Sequence, residues 1–166
     1  MKTFRNFIDD INESSMSRIK SQSDKGGTAV MSASRGDKSS KENRARAKKL
    51  DKDIRSKFGK GATKVTGKYT EKDDKTGKET RVKERSHVVT SGKMGKRKFK
   101  KEVQKLGRKY EQDAVLTQTR KTGTLSATRK GGLGKDKRIG VGKFRPGRSS
   151  SEGDTKIKGK TFTYEK

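Results

Sequence analysis

His87 is the sole histidine of this 166-residue chain, and there is no cysteine. Thiolate zinc sites, disulfides and clusters of histidine ligands are therefore out of reach. A Ser-His-Asp arrangement would need partners that spacing alone does not reveal. His87 stands beside Val88 in a strand-like run, where it is expected half-buried or facing solvent rather than acting as a catalytic base. Asp73-Asp74 could bind a divalent ion, but Lys72 and Lys75 flank it and a polar turn accounts for it more simply. Glu84 and Asp113 are isolated carboxylates. Gly61 to Gly67 carries one residue too many for a phosphate-cradling loop, and Tyr69 follows Lys68 where that loop needs Ser or Thr. Gly140-Val141-Gly142 lacks the third glycine of a dinucleotide fingerprint, because Arg145 occupies its place. These residues predict a chain that is not an enzyme, with no cofactor and no metal.

Charge is the stronger signal. The chain holds 47 Lys and Arg against 20 Asp and Glu, a formal net charge of +27, with 23 % hydrophobic residues and a single proline. Such an excess points to a polyanionic partner, because each neutralised phosphate releases a condensed counterion. The candidate nucleic-acid-binding residues fall into three groups. Arg44, Arg46, Lys48 and Lys49 lie on a first helix, and Lys96, Arg97, Lys98, Lys100 and Lys101 open a second. Arg129, Lys130, Lys137, Arg138, Lys143, Arg145 and Arg148 stud a glycine-rich tail. Aromatics make up only 5 % of the chain, so phosphate contact to double-stranded DNA, rather than base stacking, is the expected mode. The strand-like run 81–89 lacks the aromatics of an RNA-recognition module. A membrane partner is not expected: no apolar run reaches spanning length, and the N-terminal stretch is acidic at Asp9, Asp10 and Glu13.

The first thirteen residues differ from the rest. Phe4, Phe7, Ile8 and Ile11 recur on one helical face, and Ile11-Asn12-Glu13 is followed by the small Ser14. This stretch resembles the capsid-targeting peptide of T4-like bacteriophage internal head proteins, through Met1-Lys2-Thr3, Phe7-Ile8 and the Ile11-x-Glu13 cleavage pattern. The resemblance implies a leader cut after Glu13 by a prohead protease and recruitment through the prohead scaffold. It further implies a basic virion protein in the capsid interior beside packaged DNA, passing through the host cytoplasm during assembly. The residues equally allow an amphipathic helix docked on its own domain. A cytoplasmic nucleic-acid-binding accessory protein, or an injected effector that inhibits a host protein, are the alternatives in function.

The elements that would position these groups follow from periodicity. Residues 1–13 form the leader and 14–27 a linker, 28–128 a small basic domain and 129–166 a basic Gly/Lys-rich tail expected to be disordered, with a last strand-like Thr161-Phe162-Thr163-Tyr164. Within the domain the pattern predicts a strand over 28–33 and a helix from Ser39 or Ser40 to Phe58. A strand pair follows over 62–71 and 81–90, then a helix over 96–111, and a strand over 114–119 onto which 122–128 folds back. This β-α-β-β-α-β order predicts an α+β, ferredoxin-like domain. Its core would comprise Val30, Leu50, Ile54, Phe58, Val65, Val89, Phe99, Val103, Leu106, Tyr110 and Val115. Lys41-Glu42-Asn43 and Gln112-Asp113-Ala114-Val115 make residues 28–118 similar to an uncharacterised bacterial family of small α/β domains, although Arg35-Gly36 stands where that family has Asn-Pro.

Overall fold

The computed structural model describes residues 16–25, 27–72, 76–148, 153–157 and 160–165. The leader, with Phe4, Phe7, Ile8, Ile11, Glu13 and Ser14, lies outside the described residues, as does the Asp73-Asp74 turn. Helix α1 covers 16–24. It is followed by β1 (Thr28–Ser32), α2 (Ser40–Phe58), β2 (Thr63–Lys72), β3 (Glu79–Thr90), α3 (Lys96–Lys109), β4 (Ala114–Gln118) and β5 (Gly123–Ala127). Strands β6 (Arg138–Pro146), β7 (Gly153–Ile157) and β8 (Lys160–Glu165) complete the chain.

The strands close into an antiparallel barrel in the order β1-β3-β2-β7-β8-β6-β5-β4. This overturns the expectation of a small ferredoxin-like domain with a disordered tail. The run from β1 to β4 is only part of the sheet. The segment read as a tail supplies β6, β7 and β8, which bridge β5 to β2 and leave no open edge. The physical reason is apolar content hidden by lysine. Phe144, Ile157 and Phe162 point into the barrel and are at most 6 % exposed, while Lys143 and Arg145 alternate outward on β6.

Two cores result, on opposite faces of the same sheet. Ala29, Met31 and Val89 face outward and pack under Leu50 and Ile54 of α2 and under Phe99, Val103 and Leu106 of α3. Inside the barrel, Val65, Val88, Phe144, Ile157 and Phe162 pack around Met16 and Ile19 of α1. Val30, expected beside Leu50, instead packs against this inner cluster, because neighbouring strand residues point to opposite faces. Phe144 and Phe162 meet at 4.8 Å between ring centroids.

Helix α2 is punctuated by its own sequence. Ser39 accepts from the Glu42 amide while the Glu42 carboxylate accepts from the Ser39 amide, and Gly59 ends the helix at φ 71°. Helix α3 has no side-chain cap and no acid in its first turn, so packing must hold it. Gly107 shows how close that packing is. A Cβ there would stand 2.6 Å from Val115 Cγ1 and 2.7 Å from Thr128 Cγ2. Ion pairs tie the two helices together. Glu102 accepts from Lys57 at 2.7 Å and Lys105 at 2.8 Å, and these bonds, Lys105's foremost, hold its carboxyl down at about 2.

Candidate functional site: a two-lobed cleft beneath helix α2

Alternation along β3 sends Arg85, His87 and Val89 to the outer face, the side on which α2 lies. The antiparallel register then sets Thr66 opposite Arg85 and Lys64 opposite His87, and Lys156 of β7 opposite Thr66. Arg85, Thr66 and Lys156 therefore form one row across three strands, beside a second row of His87 and Lys64. Over them α2 turns Arg44, Lys48, Asp51, Lys52 and Arg55, spaced so that they share one face. Together they enclose a cavity of about 710 Å³.

His87 lies at this cavity and is 2 % exposed, which corrects the expectation of a half-buried or solvent-facing residue. Val89 and the body of α2 bury the outer face of β3 that would otherwise meet water. Burial pushes the imidazole below the ordinary histidine range, and Lys64 adds to that, while Asp51 opposes it. The ring is therefore neutral near pH 7. Among the described residues, His87 Nδ1 and Asp51 Oδ1 are buried without a hydrogen-bond partner. The other Asp51 oxygen accepts from Arg55 at 3.4 Å. Buried polar atoms cost stability when unpaired; Thr117 Oγ1, Gln118 Oε1 and Ser126 Oγ share that condition, but of the five only the His87 and Asp51 atoms belong to residues lining this cavity.

A second lobe of about 410 Å³ continues toward the N-terminal end of α2 and shares Arg44 and Arg85 with the first. Its other walls include Ser34, Asn43, Lys83 and Glu84. This lobe is more firmly braced. Asn43 Nδ2 donates to the carbonyls of Arg35 at 2.9 Å and Lys38 at 3.2 Å, and its Oδ1 accepts from the Arg35 amide at 2.9 Å. Arg35 is engaged with Asp37 at 2.8 Å and with the Glu111 carbonyl. Both volumes fall in the range of small-molecule sites, roughly 300–1,000 Å³.

Of the residues expected to hold nucleic acid, Arg44 and Lys48 reach this cleft. Arg46 does not. Its guanidinium donates to the carbonyls of Ala33 at 2.7 Å and Tyr110 at 2.6 Å and lies 5.9 Å from the Tyr110 ring centroid, a role in joining α2 to α3. Lys49 is exposed on α2 outside both lobes. Lys96 borders a separate, open depression with Lys20, Ser21 and Arg120. Arg97, Lys98 and Lys101 are exposed, and Lys100 is half-buried with its ammonium pushed down by desolvation and by Arg138. Arg129 pairs with Asp113 at 2.5 Å and Arg148 with Glu165 at 3.4 Å. Lys130, Lys137, Arg138, Lys143 and Arg145 are spread over the barrel surface. Asp51, Lys64, Arg85 and Lys156 were missed. The period-two run Arg85-x-His87-x-Val89 was the available signal.

A family model described as the S-adenosylmethionine lyase family matches residues 29–166, taking in the cleft and nearly all of the barrel. The chain belongs to that family. No protein of the curated set matches the chain. Membership in the S-adenosylmethionine lyase family corrects three expectations at once. It overturns the reading as a non-enzyme, the function of a head-packaged basic virion protein, and the association with phage and DNA binding that went with it. Among the described residues no group of three or more acidic or histidine side chains could hold a metal ion. No described helix is long and apolar enough to cross a membrane.

Proposed function

We propose that this protein cleaves a C–S bond of S-adenosylmethionine, and that the smaller lobe of the cleft holds the reacting methionyl portion. The observation that carries the reading is the family match over residues 29–166. The chemistry explains why so few reactive side chains are needed. A sulfonium is an activated leaving group that departs as a neutral thioether, without protonation. The substrate's own carboxylate can attack its Cγ carbon. The C–O bond forms as the Cγ–S bond breaks, giving a five-membered lactone and a thioether nucleoside with no proton transferred. The carboxylate's negative charge and the sulfonium's positive charge vanish together. A cleft that excludes water favours that annihilation, because water stabilises the separated charges more than the transition state.

The protein's task is then orientation, which in intramolecular reactions accounts for much of the rate. Arg44 and Arg85, shared by the two lobes, bind one carboxylate oxygen and leave the other free to attack. The α-ammonium keeps its charge throughout and takes no part in the bond changes. The lone histidine carries no step.

The test is to incubate the full chain with S-adenosylmethionine in ¹⁸O-water and follow the products by mass spectrometry. Equal amounts of thioether nucleoside and a lactone without the heavy isotope are expected. Recovery of unchanged substrate would overturn the reading, and heavy oxygen in a first-formed open-chain product would replace it with hydrolysis.

A further inference from the structure

The larger lobe is poorly matched to a sulfonium. It presents seven cationic side chains against the single carboxylate of Asp51. Only Arg55 among those cations makes an ion pair with a described residue, the one to Asp51 at 3.4 Å. Lys48 and Lys52 follow Arg44 on one helical face at spacings where like charges repel. Arg85 and Lys156 flank Thr66 in a single cross-strand row. Six of the seven are solvent-exposed, and two independent elements, a helix and a three-strand row, bring all seven to the walls of one concavity.

His87 and Asp51 line that concavity; their Nδ1 and Oδ1 are buried without partners, and the Asp51 side chain keeps 15 % exposure, through which it offers an acceptor. A neutral imidazole can donate from either nitrogen, and a carboxylate oxygen only accepts. The lobe thus offers cations for several negative charges and one acceptor for a donor group on the same ligand. We infer that the larger lobe is a binding site for a polyphosphate chain, with a nucleoside polyphosphate as the ligand that meets every group present. Lys48, Lys52, Lys64 and Lys156 hold the phosphates and Asp51 accepts from a ribose hydroxyl or a base amino group. Because Arg44 and Arg85 border both lobes, an occupied polyphosphate site weakens the hold on the substrate carboxylate in the smaller one.

Calorimetric titration of the full chain with inorganic triphosphate, with ATP and with a short DNA oligonucleotide tests this. One-to-one binding of triphosphate and tighter binding of ATP are expected. The double variant Lys48→Glu/Lys156→Glu should lose affinity for both by about tenfold or more. A control of equal charge change, Lys98→Glu/Lys101→Glu on α3, should retain it, with melting curves confirming that both variants fold. Asp51→Ala should erase most of the preference for ATP over triphosphate. Absence of heat with both small ligands, equal weakening in the control, or binding of the oligonucleotide alone would overturn the inference. Turnover of S-adenosylmethionine is measured separately in phosphate-free buffer, so neither result decides the other.

Discussion

The two lobes of the cleft share a pair of arginines and differ in almost everything else. The smaller is braced by Asn43, which bonds the loop leading into α2 through both side-chain ends, and Arg35 there is already occupied by Asp37 and a carbonyl. The larger carries cations that make few ion pairs and two buried atoms that are left unsatisfied. A braced lobe suits orientation of a small zwitterionic group. A lobe that holds like charges apart suits a ligand supplying the opposite charge. The difference teaches that a single basic surface can be held by side-chain hydrogen bonds in one part and carry few ion pairs in another.

That contrast can be broken most sharply at Asn43. Asn43→Ala removes the three hydrogen bonds that brace the smaller lobe, and a loss of about 2 kcal/mol in positioning should lower kcat/KM roughly thirtyfold. Triphosphate binding in the larger lobe should survive the same change. A parallel loss of both, measured by steady-state kinetics and calorimetry, would merge the lobes into one site.

The next effect separates the cleft from its scaffold. Gly107→Ala should destabilise the protein by about 1–3 kcal/mol in urea unfolding, because the added methyl meets Val115 and Thr128. Helix propensity alone favours Ala by about 1 kcal/mol, so the sign of the result tells packing from propensity. Ser39→Ala removes one half of the α2 capping box and should cost about 1 kcal/mol. If α2 positions both lobes, that loss should weaken substrate and triphosphate alike rather than one of them.

The smallest effect is titration. The His87 pKa lies below 6.5 in the folded protein, so the folded state resists the proton that the unfolded chain accepts. Stability contributed this way is present above about pH 6.5 and declines as pH falls below it. Melting temperatures of the wild type should therefore drop on acidification through that window, and His87→Gln should flatten the slope. Bound triphosphate should flatten it too, since an anion beside the ring favours its protonation.

How much of this was legible in the sequence varies by element. Helix α2 declares itself: Ser39, Glu42 and Gly59 mark its ends, and Leu50 and Ile54 fall on its buried face. The β2–β3 hairpin is likewise written in local alternation. Strands β6 and β7 were not legible, because lysine, glycine and arginine outnumber their inward residues and mask the period of two, whereas Thr161-Phe162-Thr163-Tyr164 of β8 reads as strand-like without showing what it pairs with. The cleft was half visible. Arg44 and Lys48 stood out as charge, but Arg46 beside them turned out to join α2 to α3 through the Ala33 and Tyr110 carbonyls. His87 was misplaced because strand alternation says which residues share a face and does not say what covers that face.

By itself the sequence determined the net charge, the lack of thiols, the helix ends and the spacing of apolar positions, all properties of neighbours within a few residues. Tertiary structure alone decided that the sheet closes, that α1 fills the barrel with Met16 and Ile19, and that Lys156 comes to lie in a row with Arg85. Those outcomes depend on pairing between strands far apart in the chain. The reward for such pairing, buried area and satisfied edges, exists only after closure.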